Sequence, residues 1–175
     1  MKKYIDLWEY AGQILEQVGT AALVTTKADG KVNTMTIGWG TLGVEWKKPL
    51  FTVFVRQSRY TKELLDKNGE FTINVHLKGT DRKQALGFCG SKSGRDVDKI
   101  KEMGLHLEEP DVISVPGIKE FPITLECRVV YKQDQDLNLL DEDKRLRYYE
   151  PGTANDGDYH TAYYGEVLAA YIIED

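Results

Sequence analysis

Cysteine is scarce in this chain and badly spaced for metal chemistry. Among 175 residues there are two, Cys89 and Cys127, and they form no CxxC pair; the three histidines, His76, His106 and His160, lie far apart. That spacing argues against a structural zinc site. A Cys89–Cys127 disulfide would be exceptional in a cytosolic protein. Positive charge is also in deficit, with 23 Lys and Arg against 28 Asp and Glu and a net charge of −5. A nucleic-acid backbone calls for the opposite surplus, so no nucleic-acid partner is expected. A local basic patch could still hold a small phosphate ligand. No apolar stretch is long enough to span a membrane, and MKKYIDLWEY places Asp6 and Glu9 where a signal peptide would be apolar. The expectation is a cytoplasmic protein with no membrane partner.

What is present fits one globular domain over residues 1–175: 41% hydrophobic and 29% charged residues, in a chain long enough to bury a core. Residues 4–18 predict a helix whose apolar face carries Tyr4, Trp8, Ala11, Leu15 and Val18, stopped by Gly19. TAALVTT and VNTMTIGWG predict strands joined at Asp29-Gly30, with TLGV as a possible extension. LFTVFV and FTINVHL predict further strands, with a helix through SRYTKELLDKN between them, capped by Ser58. A short helix is predicted over 82–88, and another capped by Ser93 or Asp96. ITLECRVVYK and YYGEVLAAYII predict long strands, with a short helix around LLDEDKRLRYY between them. Regular βαβ alternation is missing, so the prediction is a mainly β fold: a closed antiparallel barrel with helices packed outside.

Three segments suit a ligand. ALGFCGSKSGRD crowds glycine, serine and basic residues together. Its glycines lack Walker and dinucleotide-fold spacing, which leaves a generic anion-holding loop or a solvated connection. VRQSRYTKE turns from strand to helix, and the free N–H groups there suit a phosphate; plain helix capping is the alternative. NTMTIGWGTLGV carries three glycines and Trp39 and would let a flat ring approach the backbone, or else mark a bend in the barrel wall. His160 and Cys89, read alone, are more simply structural than functional.

Taken in order, NTMTIGWG, FTVFVRQSRYT, EFTINV, ALGFCGSKSGRDVDKI, RYY and GDYHTAYYGEV resemble the flavin reductase-like FMN-binding family, in particular its flavoredoxin-like branch. The resemblance implies a split β-barrel with Greek-key antiparallel connections and peripheral helices. It also implies a homodimer with FMN near the subunit interface. It assigns Arg56, Ser58, Tyr60 and Thr61, with Cys89, Gly90, Ser91, Lys92 and Ser93, to the FMN phosphate and ribityl chain. It assigns Met35, Thr36, Ile37, Gly38 and Trp39 to the isoalloxazine, and puts His160 near a second substrate. EPGTANDGD looks longer than the usual link at that place. The function implied is an FMN-dependent oxidoreductase. Electrons would pass from NAD(P)H, or from a redox protein as donor, to free flavin, a metal complex or a redox protein. The alternatives are an electron carrier without a nicotinamide site, an FMN-binding sensor, and a barrel without cofactor that serves as an interaction protein.

Overall fold

The computed structural model of the chain describes residues 1–174. In chain order the elements are β1 (Lys2–Tyr4), α1 (Leu7–Thr20), β2 (Ala22–Ala28), β3 (Lys31–Ile37), β4 (Gly40–Glu45) and β5 (Lys48–Arg56). Then come α2 (Tyr60–Asn68), β6 (Glu70–Val75), α3 (Lys83–Ser91), α4 (Lys99–Glu102), β7 (Leu107–Glu108) and β8 (Gly117–Ile118). The chain finishes with β9 (Ile123–Asp134), a 3-10 turn (Leu137–Leu139), α5 (Glu142–Tyr148) and β10 (His160–Ile173). Among the described residues, no helix is long and apolar enough to cross a membrane.

The main sheet runs β3-β2-β6-β9-β10-β5-β4, all antiparallel, with β1 added to the far half of β10. β3 and β4 are adjacent in the chain yet end the sheet on opposite sides. The predicted barrel is therefore split at this seam rather than closed. α1 corrects a second expectation, because it is not merely external. Its Leu7, Ile14 and Val18 join Val24, Met35, Phe51, Phe71, Ile73, Leu125 and Tyr163 in the main core. Asp6 sets its start by accepting from the Trp8 N–H at 2.8 Å. Residues 2–4, predicted as helix, instead pair with Tyr171–Ile173. The buried face is accordingly rotated from the predicted one, leaving Trp8 and Leu15 exposed.

β10 is long enough to serve two neighbours and bends through bulges at Tyr164/Gly165 and Val167/Ala169. At Gly165 a Cβ would stand 2.4 Å from the Phe71 ring, so only glycine lets the strand approach that core.

The outer face of the sheet is polar and buried. Asn74 Nδ2 donates to Thr25 Oγ1 at 3.0 Å and Thr72 Oγ1 at 2.9 Å, while Asn74 Oδ1 accepts from the Ile118 N–H. Beside them the fully buried Glu126 carboxylate accepts from the N–H groups of Asp111, Val112 and Ile113 (2.7, 2.7 and 3.1 Å) and from the Tyr171 hydroxyl (2.9 Å). These bonds fasten the 105–121 segment over the sheet, with Leu23, Cys89, Leu105, Ile118 and Phe121 as its apolar underside.

Replacing Glu126 with Leu orphans three N–H groups and a hydroxyl at once. Since a bond to a charged group contributes roughly 1.5–3 kcal/mol, Glu126→Leu should lower unfolding stability by at least about 3 kcal/mol in urea titration. Hydrogen exchange should localise the loss to residues 105–121; a midpoint equal to that of the parent would remove Glu126 as the fastening.

Candidate functional site

The site lies where three ladders stop. β3 leaves its ladder at Ile37 and β4 begins at Gly40, so Gly38 and Trp39 bridge the seam outside any strand. Across from them β5 ends at Arg56, which pairs with His160, the first residue of β10. The result is a cleft of about 190 Å³ lined by Met35 to Trp39, Phe54, Arg56, Arg59, Asn155 and His160. Trp39 is 42% exposed and stands edge-on to Tyr148 at 5.5 Å and tilted to His160 at 5.0 Å.

A smaller cavity of about 70 Å³ adjoins the cleft and shares Met35 and Arg59 with it. It lies between β3, the start of α2 and the loop after α3. Ser58, Tyr60, Thr61, Gly90, Lys92, Ser93, Arg95 and Lys99 reach it, and no acidic residue does. Lys99 is only 5% exposed; its ammonium donates to the carbonyls of Thr34 (3.0 Å) and Cys89 (2.8 Å). Burial holds its pKa below the usual lysine range. Gly94 closes the loop onto β3, and a Cβ there would fall 2.0 Å from Asn33 Oδ1.

Among the described residues two buried side-chain atoms find no hydrogen-bond partner, Asn33 Oδ1 and Asn155 Nδ2. Asn33 lines the small cavity and Asn155 the cleft. An unmatched buried polar atom costs about 1–3 kcal/mol. Two of them on adjoining cavities mark an incomplete polar lining that a ligand would complete.

Most of the expected residues converge here, in altered roles. Met35, Thr36, Ile37, Gly38, Trp39, Arg56 and His160 share the cleft; Ser58, Tyr60, Thr61, Gly90, Lys92 and Ser93 share the small cavity. Ser58 does not cap α2. Arg59 takes that position without a side-chain bond, while the Ser58 N–H and hydroxyl both donate to the Asp158 carboxylate, the hydroxyl at 2.5 Å. Cys89 and Ser91 line neither space. α3 continues through both, which turns the Cys89 side chain into the apolar underside, where burial pushes its thiol pKa up. Ser91 Oγ donates back to the Phe88 carbonyl. The next helix is capped by Asp98, not by Ser93 or Asp96.

Arg59 belongs to the strand-to-helix segment VRQSRYTKE that the sequence offered, but Asn33, Lys99 and Asn155 were not singled out. Asn33 opens the NTMTIGWG motif and Lys99 lies within GRDVDKI, so motif membership was the available signal. Asn155 sits in the EPGTANDGD loop, which is held by Arg56 donating to the Ala154 carbonyl and by the Gln57 N–H donating to the Tyr159 carbonyl. No local pattern announces it.

At the seam of the split barrel, then, a cleft walled by Met35 to Trp39 adjoins a cationic cavity beside the start of α2. The flavin reductase-like domain matches residues 18–175, and the chain belongs to that family. An uncharacterized protein of Archaeoglobus fulgidus is 34% identical over 100 residues, 57% of this chain and 55% of that protein. Uncharacterized protein YddH of Escherichia coli is 26% identical over 97% of this chain and 79% of its own length. Among solved structures, flavoredoxin from Methanosarcina acetivorans superposes with a TM-score of 0.65 at 28% identity, covering 88% of this chain and 68% of that one. An FMN-binding domain of a flavin reductase-like enzyme from Shewanella baltica gives 0.67 at 19% identity, over 98% and 77%, and supports the fold.

His160 is buried, and its Nδ1 lies 2.9 Å from the Tyr149 hydroxyl. Burial first, then the charge of Arg56, lowers its pKa from 6.5 to about 4, so the ring is neutral at physiological pH. As pH falls, the unfolded chain takes up this proton before the folded one does. The stability tied to a neutral His160 is therefore complete above pH 6.5 and is lost between 6.5 and about 4, by about 3 kcal/mol at most. Urea titrations on either side of that window should show the loss in the parent chain and a flatter profile in His160→Gln; parallel profiles would remove His160 as its source.

Proposed function

We propose that the chain binds FMN and works as a flavin-dependent oxidoreductase that passes electrons from NAD(P)H to an acceptor. The observation that carries this reading is the pair of unmatched amide atoms, Asn33 Oδ1 and Asn155 Nδ2, on two adjoining cavities whose only charged side chains are basic. The residues fit the group. Arg59, Lys92 and Lys99, with the first N–H groups of α2, offer donors and positive charge to a phosphate, while Arg95 beside them is paired with Glu63. The Asn33 amide, turned about its last bond, presents either a donor or an acceptor there. The backbone from Met35 to Trp39 offers a wall to the ring, with Asn155 opposite and the neutral His160 closing one side. The bound flavin supplies the redox chemistry; the chain orients it and sets its surroundings. No general base is needed for hydride transfer, in keeping with a site that holds only one imidazole and no carboxylate pair.

The names of solved relatives support the same direction, since flavoredoxin and FMN-binding domains are among them. The working unit in this reading is a homodimer, as the family resemblance implies, with a redox protein as the alternative electron donor.

Absorption spectroscopy tests the proposal. Protein reconstituted with FMN and desalted should keep a flavin spectrum, and without oxygen NADH or NADPH should bleach it. A retained spectrum that neither nucleotide bleaches would replace the enzyme with an electron carrier or sensor, and no retained flavin would sink the reading. Lys92→Ala should weaken FMN by about 1.5–3 kcal/mol, roughly ten- to a hundredfold, with the fold intact by circular dichroism. An unchanged FMN titration would remove Lys92 from the site.

A further inference from the structure

The loop between α5 and β10, residues 149–159, is where this chain departs from the family pattern it otherwise resembles. The loop spends its polar groups on its own shape. The Gly152 N–H donates to Asp156 Oδ1 at 2.7 Å, and the Thr153 N–H and hydroxyl donate to the Glu150 carbonyl at 3.0 and 2.7 Å. Arg56 holds the Ala154 carbonyl, and Asp158 holds Ser58. The backbone of Asn155 is fixed on both sides: its N–H donates to the Tyr148 carbonyl at 3.2 Å, and its carbonyl accepts from the Asp158 N–H at 2.7 Å.

The Asn155 side chain is the exception. It is 7% exposed, and its Nδ2 has no partner, whereas the exposed Asp156 beside it has one. It lines the seam cleft and is the only amide side chain that does. The other neutral polar side chains there are engaged. The Thr36 hydroxyl donates to the Leu86 carbonyl at 2.6 Å, and His160 Nδ1 lies 2.9 Å from the Tyr149 hydroxyl. Arg56, Arg59 and the adjoining basic cavity suit an anionic tail. An amide carries no net charge and sets a donor beside an acceptor, which suits a neutral edge built the same way. A ligand without that edge leaves the buried amide unpaired, and a site rejects such a ligand strongly.

We propose that Asn155 is a specificity residue for the ring of the ligand, and that its amide pairs with an imide edge, a ring carbonyl beside an N–H. Nδ2 donates to the carbonyl and Oδ1 accepts from the N–H; turning the amide about its last bond exchanges its two ends and keeps the pairing. The isoalloxazine of a flavin carries such an edge, so the ligand class rests on the flavin reading of the cleft. That the amide is kept for a ligand rests on the structure alone.

Two probes and three variants decide it. FMN and FMN methylated at its imide nitrogen are titrated into the ligand-free protein and followed by flavin fluorescence. In the parent chain the methylated probe should bind about tenfold more weakly, because it lacks the N–H. In Asn155→Leu the two probes should bind within about threefold of each other, with FMN itself weakened about tenfold. Asn155→Ala, which cannot overfill the place, should close the gap in the same way. Lys92→Ala acts on the phosphate and should weaken both probes alike, leaving their ratio as in the parent. Without ligand, Asn155→Leu should unfold at a higher urea concentration than the parent, since an apolar group of like size replaces an unmatched buried polar atom. Equal binding of the two probes by the parent would overturn the inference, as would a ratio that survives in both Asn155 variants. Failure of the flavin reading is seen separately, as a parent chain that binds neither probe. The imide assignment then falls with it, and the urea midpoint alone decides whether the amide is kept for a ligand, a lower midpoint in Asn155→Leu counting against it.

Discussion

Everything about the site follows from one constraint: β3 and β4 are consecutive in the chain but belong to opposite ends of the sheet. Two residues, Gly38 and Trp39, have to cross that gap. Neither lies in a ladder, and since β3 pairs only with β2 and β4 only with β5, each of these strands keeps one edge unpaired among the described residues. The wall is therefore open here, and backbone polar groups that a closed barrel would pair internally are left for something else to meet. α1 seals the core beneath through Ile14 and Val18, so the opening stays a surface cleft. β10 does the rest. By pairing with β5 on one side and β9 on the other, it delivers His160 opposite Arg56 at the mouth of the same gap.

Two buried ions show how a finished site differs from an unfinished one. Glu126 has three backbone N–H groups and a hydroxyl around it, a full set of donors for a carboxylate held away from water. It asks for no ligand, and its chemistry is fastening. Lys99 is nearly as buried but meets only two carbonyls and no anion, and it lines a cavity next to an unmatched Asn33 oxygen. Burial without a counter-charge depresses its pKa, and an anion beside it would oppose that shift. That asymmetry separates the ligand-facing layer of β3 from the rest of the polar outer face, although both are built from the same Thr and Asn side chains.

The strands were legible because they are rich in β-branched and aromatic residues and bounded by turns such as Asp29-Gly30. The seam was not, since nothing local in TIGWGTLGV says that the chain changes partners at Trp39; that depends on which strand arrives later to pair. The face of α1 was misread for a related reason. Its first turn is fixed by Asp6, and residues 2–4 are claimed by β10, some 170 residues away. At the site, the motifs located the right segments but not the right atoms. Ser58 looked like a cap and is instead held by Asp158, a hundred residues on. Cys89 looked like part of a loop, but it is helical and faces inward. Asn155 has no local signal at all, because its importance comes from being buried without a partner, a property only the assembled loop creates.

His160 gains its significance from what lies on its two sides. It lines the seam cleft with Arg56 and Arg59, and it also lines a second hollow with Asp134 and Asp136. Burial, the Arg56 charge and the nearby Tyr149 hydroxyl go with a neutral ring. Phe54 and the neutral imidazole, both uncharged rings, are the residues the two spaces share. Basic side chains line one of these spaces and aspartates the other. The shared lining comes from one pairing of strands, which sets Arg56 opposite His160 and Phe54 opposite Ala162 where β5 ends and β10 begins.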